Sequence, residues 1–147
     1  MLSLGGIANV FGRAAGRLVV FEGSALKEIG KIVAAKAASK LGYYQEASGP
    51  FPKWAPLAPS TIASKGGRAE PLVDTGELKE RGISYVVKPT SVIVGSDLDR
   101  ALFAELGTSK EPPRPFLGPA VLESKDMIVA LIGGATVEAF GIKGRIL

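Results

Sequence analysis

Between Ser24 and Leu41 the apolar positions Leu26, Ile29, Val33, Ala37 and Leu41 recur every three or four residues, which predicts an amphipathic helix over 24–41. Ala34, Ala35 and Ala38 add propensity, and Ser24 stands where an N-cap is wanted. Upstream, Leu4, Ile7, Phe11, Ala14 and Leu18 keep the same spacing. Gly5, Gly6, Gly12 and Gly16 oppose a helix there, at about 1 kcal/mol each relative to alanine. The segment of about 1–20 is therefore expected to order against a neighbouring subunit or to fray. The pattern lapses from about 42 to 72, where Pro and Gly abound beside Tyr43, Tyr44, Phe51, Trp54 and Leu57. A long loop rich in large apolar residues is expected to be pinned to a surface, with a short helical turn from Pro59 to about Lys65.

Downstream the period changes. Ile83 to Val87 and Val92 to Val94 are β-rich runs around Lys88-Pro89-Thr90-Ser91, which predicts a hairpin over 83–95. Before it, Asp74 lies three residues from Glu77, the spacing of a reciprocal cap on a short helix ending near Arg81. After it, Asp97 or Asp99 is placed to cap a helix bearing Ala101, Leu102, Phe103 and Leu106 and ending at Gly107. The prolines of Glu111-Pro112-Pro113-Arg114-Pro115 force extended backbone, so a short strand or anchor is expected near 115–117. Pro119 suits the start of a last helix over 119–140, with Val121, Ile128, Ile132, Ala135 and Ala139 on one face, Leu122 and Val129 widening it, and Leu131 off it. Gly133-Gly134 is expected to kink or thin that helix. The resulting class is α+β: a small antiparallel sheet packed with two long helices, in a single domain over 1–147.

Composition narrows the chemistry. With neither Cys nor His, the chain has no thiolate, no disulfide, no Ser-His-Asp triad and no histidine zinc site. Asp97 and Asp99 are the closest acid pair, and at a helix start they read as caps rather than as a general acid and base. Glu105 and Arg114 are expected to form a structural ion pair. Ser64-Lys65-Gly66-Gly67-Arg68 lacks the spaced glycines and the Gly-Lys-Ser/Thr ending of a phosphate loop and reads as a mobile tip. No catalytic, metal or cofactor site is expected.

The net charge of +4 is uneven, since residues 1–70 carry nine Lys or Arg against four acids and residues 71–147 carry nine against ten. A basic first half admits a small nucleic-acid-binding module as the alternative function. Lys27 and Lys31 lie on a different side of the 24–41 helix from Lys36 and Lys40, which opposes a single DNA-reading stripe. The opening residues lack the basic leader of a secretory signal, and no uncharged apolar run approaches the ~20 residues of a membrane span, so a protein made in the cytoplasm is expected.

Five clusters stand in a recognisable order: Trp54-Ala55-Pro56-Leu57 with Pro59-Ser60-Thr61-Ile62; Leu72-Val73-Asp74-Thr75-Gly76-Glu77-Leu78; Val92-Ile93-Val94-Gly95-Ser96; Ala104-Glu105-Leu106-Gly107-Thr108; and Arg114-Pro115-Phe116-Leu117-Gly118-Pro119-Ala120. In that series the chain resembles the tail-completion, or virion-morphogenesis, proteins of tailed bacteriophages. It departs from them in lacking their Tyr-Ala pair near 100–104 and an aromatic at Leu106. The resemblance implies a structural neck component without cofactor, made in the bacterial host and located at the head-tail junction of the virion. It implies a homo-oligomeric ring, usually a hexamer, that joins the capsid connector or head-closure proteins to the tail terminator or tail tube. DNA would pass through the lumen without sequence-specific binding, and no membrane is involved. Tail terminator and head-closure roles are the neighbouring alternatives. Under this expectation Trp54, Leu57, Arg114, Pro115, Phe116 and Leu131 contact a subunit or partner, with core packing the plainer role for Trp54 and Phe116. Asp74, Thr75, Gly76, Glu77, Leu78, Gly107 and Thr108 serve as backbone motifs.

Overall fold

The structure, a computed structural model, describes residues 23–139. It is mixed α and β. Helix α1 occupies 23–40. It is followed by α2 (Pro59–Ser64), α3 (Glu77–Glu80), the antiparallel pair β1 (Ser84–Lys88) and β2 (Ser91–Gly95), α4 (Asp99–Leu106), α5 (Leu117–Glu123) and α6 (Lys125–Ala139). Contacts group these residues into two compact units. One holds 23–30, Val86–Ile93 and 125–139; the other holds Lys31–Tyr85 and Val94–Ser124.

The α1 stripe behaves as its spacing predicts, since Ile29, Val33, Ala37 and Leu41 are all buried. Full burial of each larger side chain contributes about 1.5–3 kcal/mol, which gives this stripe the leading part in ordering α1. In the larger unit Val33 and Leu41 share the interior with Trp54, Pro71 and Phe116. The hairpin also forms where the alternation places it. The helical turn at Pro59 is present, while the helix expected around Leu4 to Leu18 lies outside the described residues.

Other expectations are corrected. No strand forms at 115–117: α5 already begins at Leu117, and the amides there find a carboxylate rather than a neighbouring strand. The last helix is two helices. Its chain turns at Ser124, whose amide is shared between the carbonyls of Ala120 (3.2 Å) and Val121 (3.1 Å). Pro119 therefore sits at the third residue of α5 rather than opening the long helix, still within the first turn where its missing N–H costs nothing. Helix α6 continues through Gly133-Gly134 to Ala139, and Phe140 lies outside the described residues. Ser24 lies inside the described helix and not before it.

Two caps and one loop also differ. Gly76, not Asp74, is the N-cap of α3, and Asp74 instead accepts from Arg68 through its carbonyl (3.0 Å) and its carboxylate (3.4 Å). Leu98 occupies the N-cap of α4, with no side-chain cap from Asp97, and Asp99 is already in the first turn. The 64–68 segment, expected as a mobile tip, is tied back by Gly67 N–H on the Ile62 carbonyl and by Arg68.

Lys40 is the least expected member of the interior. Only 7% exposed, it donates to both carboxylate oxygens of Glu123, at 2.7 and 2.9 Å, and so joins α1 to α5. Lys36 approaches the same carboxylate at 3.9 Å. The hydrogen bond from Lys40 is the main cause holding the Glu123 carboxyl below the ordinary 4.5, against a smaller opposing effect of burial. A depressed folded-state pKa stabilises the fold above the unfolded value and loses that contribution as pH falls through the folded one. Urea midpoints should therefore differ most between the parent and Glu123→Gln at neutral pH and converge below pH 4.5. A gap that stays constant from neutral to acid pH would rule the linkage out.

Candidate functional site

The site is assembled from the turn that leaves α4. Gly107 ends that helix with φ 74°, and a Cβ there would meet the Pro113 nitrogen at 2.8 Å, so the chain can reverse closely only at glycine. Thr108 closes the turn: its hydroxyl accepts from the amides of Lys110 and Glu111, and its own amide donates to the Glu111 carbonyl. The returning segment has a single proline-free amide between Pro112 and Pro115, that of Arg114. It donates to the Ala104 carbonyl at 2.7 Å, which lays the segment alongside α4.

Glu105 then takes a role that local sequence does not announce. Its carboxylate accepts from the amides of Phe116 (2.8 Å), Leu117 (2.9 Å) and Gly118 (2.8 Å), the donors that the start of α5 leaves without helical partners. Pro119, next in line, has no N–H to satisfy. An anion at the positive end of the helix is favourable in charge as well as in hydrogen bonding. Gly118 lets the Phe51 ring lie close, since a Cβ there would stand 2.3 Å from the ring and oblige it to move.

Arg114 does not pair with Glu105, as the sequence suggests; its Nε and Nη2 donate to the Ala55 carbonyl at 3.2 and 3.1 Å, and Nη2 also reaches the Pro56 carbonyl. Beside it the Trp54 indole N–H donates to the Pro115 carbonyl at 3.0 Å. The loop at 54–56 and the segment at 114–116 thus hold each other through buried polar contacts. Four of the expected contact residues, Trp54, Arg114, Pro115 and Phe116, are buried in this junction and committed to their own chain. Their part in any partner contact is to shape the surface above them. Leu57 is half-buried, with its amide donating to the Tyr44 hydroxyl at 3.1 Å. Leu131 is half-buried on α6, which belongs to the other unit.

Above the junction lies an open groove of about 490 Å³, a volume typical of ligand pockets. Pro56, Leu57, Leu72 and Pro112 supply apolar wall, and the Asp74-to-Leu78 motif forms one side. Leu72 holds φ 59°, a left-handed backbone that costs a branched, bulky residue about 1–3 kcal/mol and persists here where the loop returns to the core. Glu77 is engaged by Arg100 in an ion pair at the rim. Among the described residues no cluster of acids is arranged to hold a metal ion, and no helix is long and apolar enough to cross a membrane.

The groove and its supports were partly legible: the turn at Gly107 and the extended proline run are local, whereas the Glu105 cap and the Arg114 contacts join residues far apart in sequence. The outward face of α4 carries Leu102, Phe103 and Leu106, at 56%, 49% and 70% exposure. No known protein family, characterised protein or solved structure matches this chain, so the resemblance to phage neck proteins stands on its five motifs.

Proposed function

We propose that the chain is a structural virion protein of a tailed phage or phage-like particle, a tail-completion component whose copies form a ring between capsid connector and tail. The observation that carries this reading is the bare apolar face of α4. Leu102, Phe103 and Leu106 lie within five residues on one helix, and all three face water in the single chain. Contiguous apolar surface of this kind is what association covers. The hairpin repeats the feature, with Val86 and Ile93 more than half exposed. Two further facts support the reading. The motifs shared with the neck proteins fall on the elements that brace one another, Trp54 with Pro115 and Glu105 with the start of α5. The buried polar groups of that junction serve the backbone, which suits a part whose work is to hold shape.

In this mechanism the braced junction fixes the direction in which α4 presents its apolar face, and rotational repetition of that contact closes a ring. DNA slides through the lumen, where tight phosphate contacts would retard it. Light scattering of the purified chain, at low and high salt, should give the mass of a closed ring, with six subunits the expected number. Introducing Leu102→Glu with Leu106→Glu should reduce it to the mass of one chain while leaving the circular dichroism spectrum unchanged. A monomer or dimer that shifts duplex DNA at physiological salt would overturn the reading in favour of a nucleic-acid-binding module.

A further inference from the structure

The buried guanidinium of Arg114 has no acid to answer it. It is 7% exposed, no carboxylate of the described residues forms an ion pair with it, and its bonds go to the neutral carbonyls of Ala55 and Pro56 through Nε and Nη2. Nη1 makes no hydrogen bond among the described residues and is not sealed from solvent. Arg114 lines the 490 Å³ groove. A cation so nearly buried is ordinarily paired. Here three hydrogen bonds anchor the side chain through Nε and Nη2, and Nη1 keeps its donors open in a residue that lines the groove.

We propose that this groove binds a carboxylate-bearing peptide segment of a partner protein, the carboxylate seated against Arg114 and the flanking side chains against Leu57 and Leu72. Lys110, at the groove wall without an acid partner among the described residues, adds a second positive charge. The occupant is a peptide and not a nucleic-acid backbone for two reasons. Asp74, Glu77 and Glu111 also line the groove, so a string of phosphates would meet repulsion where one carboxylate would not. Pro56, Leu57, Leu72 and Pro112 give the groove apolar wall as well, which rewards side chains rather than sugars and phosphates. A planar, fork-shaped donor held in place also favours a carboxylate by geometry. The inference rests on the groove alone and holds whether or not the chain forms a ring.

The test is an NMR titration of the full ¹⁵N-labelled chain with N-acetyl-Leu-Glu-Leu-amide, set against the Gln peptide of the same length and against inorganic phosphate. The Glu peptide should give saturable shifts confined to the amides of Leu57, Leu72 and Lys110 and to the Arg114 side chain. The Gln peptide should bind about tenfold more weakly, the worth of one charge-assisted hydrogen bond. Phosphate should not displace the Glu peptide. Arg114→Lys risks unsettling the loop at 54–56, so Lys110→Glu is the second variant: it alters an exposed residue and should weaken the Glu peptide about fivefold with the rest of the spectrum unmoved. Equal binding of the Gln peptide, displacement by phosphate, shifts outside the groove, or no saturable shift each overturns the proposal.

Discussion

Replacing Glu105 by alanine should lower the unfolding free energy by about 3 kcal/mol, since three amides at the start of α5 lose one charged acceptor and water reaches them only in part. The change acts on packing as well. With its N-terminus unanchored, α5 no longer holds Phe116 and Ala120, both fully buried, at their places in the core. Glu105→Gln separates the two contributions. Its amide oxygen can still accept from Phe116 and Leu117, but the charge is gone and its NH₂ group turns toward the Gly118 amide, so about half the loss is expected. Urea denaturation followed by fluorescence is the measurement, because the single tryptophan, Trp54, reports from this junction through its bond to Pro115. A shift of the midpoint at constant slope is the signature of altered stability. An alanine variant within about 0.5 kcal/mol of the parent would show that the cap adds nothing beyond what water supplies.

The second large effect is expected at Trp54. Removing its ring as Trp54→Ala empties a site that is 1% exposed and orphans the Pro115 carbonyl, for a loss of about 3–5 kcal/mol. Trp54→Phe keeps most of the apolar volume and removes the indole donor, and should cost about 1–2 kcal/mol. Far-UV circular dichroism during urea unfolding follows both variants without needing the tryptophan. The pair also decides between two roles for this residue. A Trp54 that served as a subunit contact would leave the stability of the single chain untouched on truncation and abolish assembly. Loss of the fold itself, with the Phe variant midway, is the outcome that its burial requires.

What the sequence conveys about this fold is local and periodic. The α1 stripe, the hairpin, the turn at Pro59 and the end of α4 at Gly107 are each written in neighbours a few residues apart, and each is present. The errors lie where a local rule meets tertiary geometry. Asp74, Asp97 and Asp99 satisfy the local rule for helix caps, yet α3 and α4 carry no side-chain cap and Gly76 and Leu98 stand at their N-cap positions, while the start of α5 is capped by Glu105 from another helix. Glu105 and Arg114 look like an ion pair because they have opposite charge; each is drawn instead to unpaired backbone, where a charge is worth most. The break at Ser124 has neither Gly nor Pro to mark it, and the apolar spacing runs through it unaltered. Of the candidate site, the apolar residues and turns could be read, while the groove and the unanswered charge of Arg114 arise from contacts between 54–57 and 114–116 that no spacing encodes.

The hairpin carries one more consequence. Its two strands have no third neighbour among the described residues, so each outer edge offers a row of backbone groups, and Val86, Val87 and Ile93 stand exposed beside them. Such an edge accepts any extended segment that comes within reach, including the same edge of another copy. Lys88 and Pro89 at the turn protect only one end of it. Edge-to-edge aggregation during overexpression and concentration is the expected result of this exposed hairpin. The choice of concentration, temperature and waiting time becomes part of obtaining it in usable form.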